Sequence, residues 1–343
     1  MSWRKLTLKH LPKIEQVWPS RPHTVRLFQF AIYTWALISK LMFLPGWFYF
    51  WGQGSLHVQV ELAGRSWVWK LLNILDLQGF ADYWWIAFLI LITSYLLFFL
   101  LPYGKVGSAI IFYLSLMNLD NYSRTFLDGG SNLLHLVLFY MIFLAGFPHN
   151  SVKVRQSFGA RAAKAQVSAF GTSAGPRVGC HFWRISSRWA LLMIQLQVAV
   201  VYAVAGLTKI RGNLWTGGVA LYYVENADPF RNEFLQQLIL KAPILTVILT
   251  YSIVLFQISF PWMVWFSRTR RYYVFAGTLL HLGIAFGTNL FMFGVTMCLM
   301  YLSFCEDGEA KAILKQFEFK PLINWLAVRL NPNTRKVGLT STS

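Results

Sequence analysis

Trp189-Ala-Leu-Leu-Met-Ile-Gln-Leu-Gln-Val-Ala-Val-Val-Tyr-Ala-Val-Ala-Gly-Leu-Thr208 is an apolar run closed by Lys209. Roughly 20 apolar residues in a helix cross about 30 Å of hydrocarbon, so this stretch reads as a membrane span. After it come Gly212-Asn-Leu-Trp215-Thr-Gly217-Gly218 and then Tyr222-Tyr223, which bring a cation, aromatic rings and turn residues to one end of the span. Comparable runs cover 25–44, 84–101, 106–119, 132–147, 242–266, 272–287 and 290–304, the third, fourth, seventh and eighth in chain order being short. The fold class expected is an all-α polytopic membrane protein, a bundle of about eight transmembrane helices with some short or re-entrant. An interfacial helix is expected in the tail, where Ile313, Leu314, Phe317, Leu322, Trp325, Leu326 and Leu330 recur near helical spacing among lysines.

Composition agrees: 56% of the 343 residues are hydrophobic and only 13% are charged. A net charge of +18 in a soluble protein would point to nucleic acid, but here the cations fall on alternate connections, so no nucleic-acid partner is expected. Lys and Arg accumulate in cytoplasmic loops. The tail 1–24, the basic loop 148–188, the Arg268-Thr-Arg270-Arg271 turn and the segment 306–343 are therefore placed inside. Glu61, Asp76, Asp82, Asp120, Asp128, Glu225, Asp228 and Glu233 then fall on the outward side. The stretch 150–179, rich in Gly, Ala, Ser and basic residues, is expected to be disordered or loosely bound to anionic headgroups. The transmembrane domain is set at 25–305.

Cys180, Cys298 and Cys305 have neither CxxC spacing nor a histidine cluster, so no disulfide framework or metal site is expected. Walker, dinucleotide, GxSxG and HExxH motifs are missing, which removes nucleotide-driven transport and the common hydrolase mechanisms. Without an intramembrane acid, basic ladder or repeat, a carrier or channel fits poorly.

Three outward connections carry the candidate site. Asn118 to Asn132 holds Asp120, Arg124 and Asp128-Gly-Gly-Ser-Asn132, a turn in which glycine adopts positive φ and Ser131 or Asn132 can cap the next helix. This is either a capped hairpin with Arg124 paired to Asp120 or Asp128, or a polar mouth for a head group or anionic intermediate. Lys209, beside Trp215, either snorkels to headgroups or is desolvated into a base. His281 to Phe291 contributes His281 and Asn289. With no carboxylate inside the spans, intramembrane polarity rests on Lys40, His135, Gln195, Gln197, Gln257 and His281; each histidine makes an interhelical hydrogen bond or serves proton transfer.

Asp128-Gly-Gly-Ser-Asn132, Gln195 through Gly206-Leu-Thr-Lys209 to Trp215-Thr-Gly217, Pro261 to Trp265 with Arg268 to Arg271, and His281 to Phe291 together resemble the HTTM (horizontally transferred transmembrane) domain family. Its core is related to the transmembrane core of vitamin K-dependent gamma-carboxylase. The resemblance implies an all-helical membrane fold with its working face outside, in agreement with the charge-derived orientation that puts both termini inside; a bacterial cytoplasmic membrane is the expected location. The resemblance also implies a reduced isoprenoid quinone as cofactor, with Lys209 as the general base that deprotonates it. Lys209 is the one catalytic residue the resemblance carries over; in the enzyme reading built on it, His281 is expected to act beside it, and Arg124, Asp128, Asn132, Trp215, Asn289 and His135 to contact substrate. The carboxylase has a histidine where this chain reads Gly130-Ser131-Asn132, and its peptide-binding extramembrane domain does not follow here, so glutamate carboxylation is not expected. Carboxylase-like or oxidoreductase chemistry on a membrane lipid stays open. The alternative is a non-enzymatic membrane partner in maturation of, or immunity to, a secreted peptide, or in a complex with another membrane protein.

Overall fold

The computed structural model describes residues 21–50, 84–101, 104–122, 128–146, 175–228 and 230–316, and every regular element among them is helical. In chain order these are α1 (Pro22–Leu41), a 3-10 turn (Leu44–Gly46), α2 (Trp47–Phe50), α3 (Trp84–Leu100), α4 (Lys105–Tyr122), α5 (Gly129–Ala145) and α6 (Gly175–Ile210). The short α7 (Asn213–Thr216), α8 (Ala220–Asn226) and α9 (Glu233–Lys241) follow. The chain continues with α10 (Pro243–Met263), α11 (Ser267–Gly287), α12 (Phe291–Met300), a 3-10 turn (Tyr301–Phe304) and α13 (Asp307–Gln316).

Pro22 starts α1 at a position whose missing N–H would have no helical partner. Val25, Phe28, Ile32, Ala36 and Ser39 then recur every three or four residues and are all buried, so α1 forms the inner wall against α5, α12 and α13. Around it α3 packs on α4, α4 on α5, α5 on α6, α6 on α10, α10 on α11 and α11 on α12, with α12 closing back on α5. Fully buried Phe28, Leu91, Phe112, Leu116, Val137, Ile194, Phe260 and Met300 come from seven of these helices and form one continuous core. At the periphery, α10 leaves Ile244, Ile248, Leu255 and Trp262 exposed. A large uncovered apolar ridge is unstable in water and natural against lipid. Among the described residues, three helices are long and apolar enough to cross a membrane, at 22–46, 185–210 and 243–263. Trp84–Leu100, Gly129–Ala145 and Phe291–Phe304 are shorter apolar helices.

Several sequence expectations are corrected. Residues 175–188 are not loop: α6 begins at Gly175, well before Trp189, while 148–174 lies outside the described residues. The Arg268 to Arg271 segment is the first turn of α11, not a connection. Arg270 folds back, its Nε donating to the Val264 carbonyl and its Nη2 to the Trp265 carbonyl, both at 3.2 Å. Those carbonyls follow the end of α10 and need an outside donor. Of the expected tail helix, the part within α13 is held to the start of α1. Asp307 Oδ1 accepts from the N–H groups of His23 at 2.7 Å and Thr24 at 3.2 Å, so the start of α13 caps the start of α1. The expected continuation of the tail helix, 317–330, lies outside the described residues.

Candidate functional site

The connection 211–242 folds as a cap of three short helices over one end of the bundle. Gly218 adopts φ +75°, ending α7 in a conformation glycine takes without a Cβ penalty. The cap is tied down by Tyr251 Oη donating to the Thr216 carbonyl at 2.9 Å. Asn232 Nδ2 donates to the Phe286 carbonyl at 3.2 Å, and Asn289 Nδ2 to the Arg231 carbonyl at 2.8 Å. Asn289 is the one non-glycine described residue with positive φ, at 57°, and its bond to the cap helps hold that turn. The Lys209 segment and the Gly287–Leu290 connection thus meet at the same end.

At this end a cavity of about 330 Å³ opens between α1, α4, α5 and the start of α12. Trp35, Phe43, Phe50 and Phe291 supply aromatic walls; Ser39, Lys40, Asp120, Asp128, Ser131, Asn289 and Thr296 supply polar groups. Helix spacing puts Trp35, Ser39 and Lys40 on the inner face of α1, and Trp35 Nε1 donates to Thr296 Oγ1 at 2.9 Å, fixing α1 against α12. The floor is ionic. Lys40 Nζ donates to Asp120 Oδ1, and His135 Nε2 lies 2.5 Å from Asp120 Oδ2, so a cation and an imidazole from two helices hold one carboxylate of a third. Asp120 is 2% exposed and Lys40 4%. A buried ion persists only when paired and hydrogen-bonded, and each member of this group supplies what another needs.

Although no carboxylate lies inside a span drawn from hydropathy, one does reach the bundle interior. Helix α4 runs to Tyr122, past the hydropathy boundary at Leu119, and carries Asp120 into the bundle. The capping assignment is corrected too. Asp128, not Ser131 or Asn132, is the N-cap of α5, its Oδ1 accepting from Ser131 N at 2.8 Å and Ser131 Oγ at 3.1 Å. Gly129 and Gly130 have no positive φ and belong to the helix. A Cβ on Gly130 would lie 2.8 Å from the Phe293 Cα, so this glycine admits the close approach of α12.

Of the candidate residues, Asp128 and Asn289 line the cavity and His135 reaches it through Asp120. Asn132 is exposed on α5, and Arg124 lies outside the described residues. His281 is buried elsewhere. Its Nε2 is 2.6 Å from Tyr202 Oη, which in turn bonds Tyr301 Oη, while Nδ1 has no hydrogen-bond partner among the described residues. The Phe293 ring, 5.4 Å from the imidazole, belongs to the same α12 turn that meets Gly130. Lys209 is half-buried at the last turn of α6 with its Nζ 4.8 Å from the centre of the Trp215 ring, and it does not line the cavity. Gly206, one turn earlier, lets α6 touch α10: a Cβ there would lie 3.1 Å from the Ile258 backbone N.

Lys40, Asp120, Trp35 and Thr296 are the site residues that sequence reasoning did not assign. A lysine buried in a span requires a counter-charge, and the nearest acids beyond the drawn span ends were the signal available. Chemically, the cavity offers an apolar, aromatic enclosure beside a carboxylate shared by an ammonium and an imidazole. That arrangement suits holding a polar head group and accepting or returning a proton at Asp120 or His135.

Residues 184–308 match the family model of the HTTM domain, a stretch that includes Lys209, Trp215, His281 and Asn289 but not Lys40, Asp120, Asp128 or His135. Neither the curated proteins nor the solved structures yield a match.

Proposed function

We propose that this chain, a membrane protein carrying an HTTM domain over residues 184–308, binds the polar head of an amphiphile in the Lys40–Asp120 cavity and exchanges a proton with it. The observation that carries the reading is the Asp120 carboxylate, held between Lys40 and His135 in an aromatic-walled cavity at the capped end. Lys40 stabilises the charge on Asp120, and His135 can take a proton from the carboxyl or return it. Charge distribution supports about eight crossings with both termini cytoplasmic and the capped end outward.

The resemblance to the carboxylase core brings a reduced isoprenoid quinone into consideration. The cavity is large enough for one such ring and has aromatic walls for it, with Ser131, Asn289 and Thr296 placed to hold its oxygens. When bound, a reduced quinone would supply an acidic hydroxyl near Asp120. A base role for Lys209 is a second reading, favoured by its half-buried position under Trp215 at the same end of the bundle. That ring also attracts the charged ammonium, so a base role requires the substrate to displace it.

Mass spectrometry of lipids retained by the gently purified full chain tests the first reading. Expected is one amphiphile per protein in the wild type and its loss in Asp120→Asn at equal abundance in the membrane. Retention by Asp120→Asn and loss by Lys209→Ala would transfer the site to Lys209. A stoichiometric protein partner with no bound lipid would favour the non-enzymatic alternative.

A further inference from the structure

The charges around the cavity are not balanced. Lys40 is matched by Asp120 at the floor, whereas Asp128, nearer the mouth, has no cation beside it among the described residues. Its Oδ1 is engaged by Ser131, and its Oδ2 carries no hydrogen bond among the described residues. The α5 amino terminus offsets about half a charge. Among the described residues the charged groups lining the cavity, Lys40, Asp120 and Asp128, therefore sum to a net negative charge, in surroundings where a charge is weakly screened. Its walls act in the same direction: the faces of Trp35, Phe43 and Phe291 attract cations. Lys40 already shows the preference, its Nζ lying 5.9 Å from the Phe43 ring centre.

We infer that the cavity selects an amphiphile whose head is positively charged, a primary or quaternary ammonium, with Asp128 as counter-charge and the aromatic rings as the box around it. This rests on the cavity being the binding site and not on proton exchange there, and it narrows the ligand from any polar head to a cationic one in place of the neutral quinone ring. A phosphate or carboxylate head would meet Asp128 with like charge and would find Lys40 already paired.

The experiment compares hexadecyltrimethylammonium, hexadecanol and hexadecyl phosphate, each titrated into the full chain in non-ionic detergent. Thr296→Trp, which fills the cavity, serves as the control for micelle partitioning. Expected is binding of the ammonium roughly tenfold tighter than the alcohol, with the phosphate weakest. Asp128→Asn should bring the ammonium down to the alcohol's affinity and leave the alcohol unchanged. Asn caps a helix about as well as Asp, so the fold of α5 is preserved. Equal binding of ammonium and alcohol by the wild type, or tightest binding of the phosphate, overturns the charge inference while leaving the cavity intact as a site. If none of the three binds the wild type better than Thr296→Trp, the cavity reading itself fails.

Discussion

Asp120 lies one residue beyond Leu119, where the apolar run ends, and that residue sets the chemistry of the bundle interior. Removing one partner of a buried pair leaves the other charge uncompensated, a loss of about 3–5 kcal/mol, whereas replacing both by apolar groups is often neutral. Asp120→Ala should therefore lower thermal stability in detergent sharply, and the double change Lys40→Met with Asp120→Leu should recover most of it. If the single and double variants melt alike, the pair is not what holds α1 to α4. At this scale the sequence was only partly legible. Lys40 and His135 were visible as polar residues inside spans, but their shared partner comes from a helix end that hydropathy assigns to a loop. Asp128 was visible as part of a turn, yet its capping role depends on backbone geometry that several neighbouring residues could equally have supplied.

At the scale of elements, the cap over the Lys209 end is the part whose stability should respond to pH. Glu225 on α8 is fully buried, and among the described residues its carboxylate has no partner beyond a weak pull from the Asn232 backbone N–H. Burial pushes its carboxyl up to about 7 from 4.5, against a smaller downward pull from the Asn232 backbone. Between those values the folded state binds more protons than the unfolded one, so stability falls as pH rises from about 4.5 to about 7 and then levels. Glu225→Gln, which cannot ionise, should flatten that dependence. Protection factors for residues 213–241, exchange at pH 5 and pH 8 each divided into the intrinsic rate at that pH, read the effect: lower protection at pH 8 in the wild type and equal protection at both values in the variant are expected. A wild-type cap equally protected at both values would show that the carboxyl is not strained. Helix positions were legible from apolar runs, but the three-helix cap was not. Its segments are too short to carry a periodic signal, and they are held by Tyr251, Asn232 and Asn289 reaching in from their neighbours.

For the whole molecule, the ends of the bundle are distinguished by charge, with Arg268, Arg270 and Arg271 at the start of α11 and the cap beyond its far end. If the capped end faces outward, Asn213→Cys, exposed on α7, should react with a membrane-impermeant maleimide on intact cells. Arg268→Cys, exposed on α11, should not, in a background lacking the native cysteines. The reverse labelling pattern would invert the orientation and place the cavity at the cytoplasmic side. The amino-acid sequence by itself determined that the chain is helical and membrane-embedded, because apolar run length and composition depend on local residues alone. It also identified the connections that meet at one end, since alternation of spans puts alternate loops together. Only the tertiary structure decided which polar groups share a site. Lys40, Asp120 and His135 are far apart in the chain, and His281 and Lys209 sit close to them in linear reasoning yet face Tyr202 and Trp215 instead. Helix rotation and close approach, set by side-chain packing at Gly130, Gly206 and the buried core, determine those partnerships, and no local pattern encodes them.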